Sequence, residues 1–254
     1  MRAMVLHGQA PIETQPLRCE DVPVPAPGDD ELLVRVRACG ICRTDLHVVE
    51  GDLPPVRKRI VPGHQVVGVV ESATAGGRFA RGDRVGIAWL RRTCGRCAYC
   101  VSARENLCER AEFTGWHADG GFAEFAVVPA AFSYAIPAIF GDVPPEPLDS
   151  AIVFAPVGEL VPVALQRLAR GGTLALAGIY MTPTPPLDYT RDLFYERQVR
   201  SVTANTRADG EALLAEAARI PVRLATTTFA LTDANRALSA LKRGAFAGSG
   251  VLVS

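Results

Sequence analysis

The chain has 254 residues, 48% of them hydrophobic, which is enough for one large domain or two of ordinary size with a packed core. Its 27 basic and 27 acidic residues cancel and lie scattered along the chain, so there is no basic field to hold nucleic acid or an anionic membrane surface. The opening MRAMVLHGQAPIE has no apolar signal core, and no later stretch nears the ~18 uninterrupted apolar residues of a membrane span, so a cytoplasmic protein is expected.

Residues 1–140 read as short β runs broken by Gly and Pro. The runs are ELLVRVRA, QVVGVVES, RVGIAWL and FAEFAVVP, which together predict an all-β body with long loops. The segment GDVPPEPLD, residues 141–149, carries Pro144, Pro145 and Pro147, suits neither helix nor central strand, and marks a domain boundary. Beyond it the texture turns to βαβα. AIVFA is a short buried strand, GELVPVALQRLAR a helix stopped at Gly171 and Gly172, and TLALAG a second buried strand. A short helix around TRDLFYER, a strand VRSVTA, a helix ADGEALLAEAARI and a strand VRLATTTFA follow. The helix TDANRALSALKRG, with Thr232 as N-cap, leads to a last strand GVLVS. The expected class is mixed: a β-barrel domain over 1–140 and a partial α/β domain over 141–254 with about three parallel strands.

Seven cysteines, an odd number in a chain expected to stay reduced, favour metal binding over disulfides. Cys94, Cys97, Cys100 and Cys108 form C-x2-C-x2-C-x7-C in a polar loop. Four thiolates at that spacing can wrap one tetrahedral Zn²⁺ with no open position, which is a structural site by coordination count. An iron–sulfur cluster is the alternative that the loop's chemistry leaves open.

ACGICRTDLHVVEG, VPGH, GDRVGIAWL and the four-cysteine loop ending in ENLC closely resemble the zinc-dependent medium-chain alcohol dehydrogenases. The resemblance implies a GroES-like barrel followed by a Rossmann domain, of which 141–254, including GVLVS, would be the second half. It also implies zinc, NAD or NADP, an alcohol or aldehyde substrate and a homo-oligomer. On this resemblance Cys42 and His64 are the first two ligands of a catalytic zinc, and both residue types suit that ion. Asp45 orients the ligand histidine, and Thr44 and His47 carry the alcohol proton to solvent. Ala177, Gly178 and Ile179, at the end of TLALAG, together with Pro156, would touch the nicotinamide through backbone groups. Trp89 suits either a substrate pocket or packing, and His7, Trp116 and His117 have a structural reading only.

The sequence also departs from the family. Gln65 stands where a Glu usually follows the ligand histidine. No G-x-G-x-x-G occurs, so the tight turn and helix N-terminus that take a pyrophosphate, and the ribose-binding acid ~20 residues later, are missing. At ~30 residues per βαβ unit, two or more units are expected to be missing between Phe140 and Gly141. The third catalytic ligand goes with them, since no cysteine follows Cys108, and Cys39 is the one nearby substitute. Three readings follow: an impaired NAD(P)-linked alcohol dehydrogenase, a non-catalytic zinc-structured remnant, and a zinc site performing hydration or hydrolysis without a nucleotide.

Overall fold

The computed structural model describes residues 1–74, 76–136, 148–154, 157–178, 181–220 and 224–253. It divides the chain into two compact units, Met1–Asp142 with Thr206–Ser254, and Val143–Asn205. The predicted break at Phe140 and Gly141 lies outside the described residues. A second crossing near residue 205 was not expected from the sequence.

The first unit opens with β1 (Arg2–Leu6) and β2 (Leu17–Asp21), an antiparallel pair. Its longest strand, β3 (Glu31–Ile41), runs into α1 (Arg43–Glu50). Then come β4 (Gln65–Ser72), β5 (Arg84–Ile87), β6 (Leu90–Arg92), the single turn α2 (Ala98–Val101), β7 (Glu112–Phe113), β8 (Phe125–Pro129) and β9 (Ser133–Ala135). β3 is the hub. It pairs antiparallel with both β4 and β8, and alternation puts Leu32, Val34 and Val36 in the core. The pairing with β4 slips by one residue between Val36 and Ala38. Such a bulge exchanges the two faces of a strand, so beyond it the odd positions Cys39 and Ile41 are buried.

The second unit holds β10 (Ser150–Val153), α3 (Leu160–Leu165), β11 (Thr173–Leu176), a π-helical turn over Tyr189–Leu193 and β12 (Gln198–Ser201). Its sheet is parallel, in the order β10-β11-β12, matching the three parallel strands expected. A small core of Val161, Leu165, Leu168 and Leu174 joins α3 to the sheet. α3 is shorter than the predicted 158–170.

The chain then returns to the first unit with α4 (Arg207–Arg219), β13 (Thr226–Ala230), α5 (Ala234–Lys242) and β14 (Ser249–Val253). The reading that 141–254 forms one domain with GVLVS in its sheet therefore needs correction. β14 pairs parallel with β13 and antiparallel with β3, in a seven-stranded sheet that also holds β4, β5, β8 and β9. The physical reason is side-chain burial. Leu252 from β14 and Ala234, Ala237 and Leu238 from α5 complete the same core as Val34 and Val36. Thr232 is not the N-cap either. A short 3-10 turn, Leu231–Asp233, precedes α5 and leaves Asp233 at that position.

Leu252→Ala should remove about 2–5 kcal/mol from the first unit by opening a cavity between β3 and α5. Both tryptophans of the chain, Trp89 and Trp116, lie in that unit, so a urea titration followed by their fluorescence reads it directly. The midpoint is expected to fall, and an unchanged midpoint would show that β14 does not belong to this core.

Candidate functional site

α1 begins where β3 ends, and the residue between them is Cys42, whose extended backbone (φ −140°, ψ −177°) makes it the N-cap. Asp45 is the third helical residue. Its Oδ2 accepts the Cys42 backbone N–H at 2.9 Å, the reach-back of a capping box, which satisfies a helix-end donor and fixes the start of α1. Its other oxygen, Oδ1, stands 3.1 Å from Nδ1 of His64. Asp45 is 1% exposed and His64 6%, so a single buried carboxylate clamps both the chain at Cys42 and the ring of His64.

His64 arrives from the loop before β4, and Gly63 sets its direction. Gly63 has φ +98°, and a Cβ there would sit 2.5 Å from Cδ1 of Phe122 and 3.0 Å from Sγ of Cys39, so only glycine fits. With Nδ1–H donating to Asp45, Nε2 of His64 faces Sγ of Cys42 at 3.5 Å. Tetrahedral zinc with Zn–S ~2.3 Å and Zn–N ~2.05 Å would separate those two donors by about 3.6 Å, so the pair fits one ion. Cys42, Asp45 and His64 are one of two groups of potential ligands that converge among the described residues. Cys39 is outside that group. Its thiol is fully buried, packs against Gly63 and Gly121, and faces the Gly40 carbonyl at 3.6 Å, which removes it as a substitute ligand.

The second converging group is Cys94, Cys97, Cys100 and Cys108. Sγ of Cys100 stands 3.5 Å from that of Cys97 and 3.9 Å from that of Cys94, bracketing the ~3.8 Å edge of a zinc–thiolate tetrahedron. The backbone N–H groups of Arg96 and Cys97 pull the Cys94 thiol down to about 5. Cys97 accepts from the backbone at Cys100, yet desolvation and its three sulfur neighbours push it up to about 11. Four sulfurs so close cannot all carry charge without a cation among them.

Thr44 is buried on α1, and His47 lies one turn further along, with Nδ1 2.7 Å from Oδ2 of Asp52. Asp52 was not foreseen in the sequence, although an acid just past the helix-ending Gly51 was a usable signal. Trp89 stacks on Phe113 (centroids 4.8 Å apart) and Trp116 (6.0 Å), and meets the His64 ring edge-on at 4.9 Å. His117 accepts the Phe113 N–H, and His7 pairs with Glu20. In the second unit, Ala177 donates its N–H to Val153 at the end of β11, and Gly178 follows it. Ile179 and Pro156 lie outside the described residues.

Burial pulls the His64 imidazole down, but the Asp45 carboxylate and the sulfur of Cys42 outweigh it and raise it to about 10. A histidine raised in the folded state stabilises fully below its ordinary value near 6.5, and that contribution is lost as the pH rises through the folded value. Metal-free protein should therefore lose stability between pH 7 and about 10.5 through this pair. Asp45→Asn should show less of that loss, read as the difference between the two proteins' urea midpoints at each pH. Parallel midpoint curves would remove the pair from the account.

The family described as the alcohol dehydrogenase GroES-like domain matches residues 28–138. The probable alcohol dehydrogenase AdhA of Mycobacterium tuberculosis (strain CDC 1551 / Oshkosh) is 42% identical over 336 residues, covering 100% of this chain and 97% of that protein. An alignment of 336 positions that contains all 254 residues leaves about 82 positions of that relative without a counterpart here. An alcohol dehydrogenase of Geobacillus stearothermophilus is 45% identical over 125 residues, 48% of this chain and 37% of that protein. Among solved structures, the cobalt- and zinc-bound thermostable alcohol dehydrogenase of Pyrobaculum aerophilum superposes with a TM-score of 0.79 at 24% identity, covering 100% of this chain and 99% of that one. A cinnamyl alcohol dehydrogenase of Sorghum bicolor reaches 0.84 at 20%, over 99% and 97%. These two likenesses establish the fold. Identity with a relative across the full length goes further, and the chain belongs to the zinc-dependent medium-chain alcohol dehydrogenase family, with part of the dinucleotide-binding domain missing.

Proposed function

We propose that this protein is an alcohol dehydrogenase-type oxidoreductase for an alcohol or aldehyde that retains the metal-binding half of its catalytic machinery, and whose turnover is impaired by the loss of the nucleotide-binding half. The carrying observation is the convergence of Cys42 and His64 at 3.5 Å under the clamp of Asp45.

In this reading Cys94, Cys97, Cys100 and Cys108 hold a structural zinc, and Cys42 and His64 hold a catalytic one. Zinc supplies Lewis acidity to a substrate oxygen there. Asp45 keeps the His64 proton on Nδ1, so that Nε2 presents its lone pair. Thr44 and His47, three residues apart on one face of α1, would pass a proton outward, with Asp52 holding the imidazole. Two protein donors are fewer than the usual three of a catalytic zinc, and Gln65 adds no carboxylate, so the second zinc is held less firmly than the first.

The described residues do not fit a nicotinamide dinucleotide. α3, which follows β10, has six residues, and ahead of it the Gly158 N–H already donates to Oγ1 of Thr182 at 2.8 Å. A Cβ on Gly158 would meet the Pro183 carbonyl oxygen at 2.2 Å, so this glycine serves chain packing rather than a pyrophosphate. Ala177 and Gly178 could orient a nicotinamide but offer no anchor for its phosphates. This favours impaired or absent turnover over a nucleotide-dependent enzyme at full strength.

NAD(H) and NADP(H) should therefore bind at about millimolar Kd or weaker, since losing several charge-assisted contacts moves a micromolar site that far. NADH fluorescence titration and an alcohol-oxidation assay on zinc-loaded protein check this. Micromolar binding with turnover would contradict the impairment and restore a complete enzyme.

A further inference from the structure

One cavity of the first unit is not used by any step above. It measures about 230 Å³ and lies between the end of β1 and residues 55–60. Leu6, Val48 and Ile60 form a buried apolar floor, and the indole of Trp116 forms a wall. Arg57 and Lys58 stand at the exposed rim. The chain as a whole has equal numbers of acids and bases, yet two cationic side chains and no carboxylate line this cavity. The rim cations are also weakly neutralised. Arg57 has Asp119 at 3.9 Å, with both side chains about half exposed, and Lys58 has no ion pair among the described residues. His7 faces the cavity too, but Glu20 engages it at 2.6 Å. Trp116 is fixed in place, because its Nε1–H donates to the Pro54 carbonyl at 2.9 Å and its ring stacks in parallel on Trp89.

From this arrangement we propose that the cavity is a binding site for a small aromatic carboxylate, its ring against Trp116 and its charge between Arg57 and Lys58. An apolar floor calls for a hydrocarbon body, a flat indole for a planar one, and an unbalanced cationic rim for an anionic group. The volume is below the ~300 Å³ at which drug-sized sites begin, which limits the occupant to about a single ring. The site does not depend on the dehydrogenase reading or on any metal.

Benzoate is the probe, and benzyl alcohol is its neutral counterpart. Both tryptophans of the chain belong to the stack that borders the cavity, so intrinsic fluorescence reports on it without a label. Benzoate should quench saturably, and benzyl alcohol about tenfold more weakly. Arg57→Glu with Lys58→Glu should weaken benzoate about tenfold or more, while Lys58→Arg preserves it. Both positions are on the surface, so these variants should fold. The decisive control is repetition after chelation of zinc. Unchanged benzoate binding supports the cavity, whereas loss of binding on chelation would place the carboxylate on the metal and overturn the proposal. Equal binding of benzoate and benzyl alcohol to the chelated protein, where no metal can take the alcohol, or indifference to the charge reversal, would overturn it as well.

Discussion

The Asp45 carboxylate is the constraint on which the candidate metal site of Cys42 and His64 depends. Buried and shared between the Cys42 backbone and the His64 ring, it joins two segments twenty-two residues apart in sequence. A buried carboxylate with only one of these partners would carry a large desolvation cost, and both together satisfy both of its oxygens. The same carboxylate that caps α1 through Oδ2 sets the tautomer of His64 through Oδ1. The start of α1 and the orientation of the His64 ring are one structural event, and a change at either end is felt at the other.

The surrounding fold serves this clamp. The bulge after Val36 turns Cys39 and Ile41 inward, so that β3 ends with Cys42 at the start of α1. Gly63, closely packed against Phe122 and Cys39, fixes where the chain enters β4 with His64 at its head. The C-terminal strand closes the other side of β3, which explains why residues 206–254 fold with the barrel although 143–205 intervene in sequence.

Most of the site was legible before the structure because its chemistry is local. The four cysteines declare their own tetrahedron by spacing, and the family motif around Cys42 and His64 carried residues whose donor atoms do converge. What the sequence hid was tertiary. The β13-α5-β14 unit is a parallel βαβ piece, and nothing in its hydrophobic pattern distinguishes a Rossmann sheet from the edge of a barrel. Only Leu252 entering the core beside β3 decides it. Cys39 looked available as a ligand because spacing places it one helical turn before Cys42. It sits on a strand, however, where three residues span about 10 Å, and its thiol faces glycine packing. Asp52 and the Trp89–Phe113–Trp116 stack went unread because single acids and aromatics have no meaning until their neighbours are known.

The most direct test of the account is a competitive chelator titration of zinc on the full chain, wild type beside Asp45→Asn. Two zincs per chain are expected, one held tightly by the four cysteines and a weaker one at Cys42 and His64. Removing the carboxylate should weaken only the second, by about 10- to 100-fold, as loss of such an orienting partner does elsewhere. A second zinc of unchanged affinity in Asp45→Asn, or one zinc in both proteins, would contradict the claim that this clamp builds a metal site.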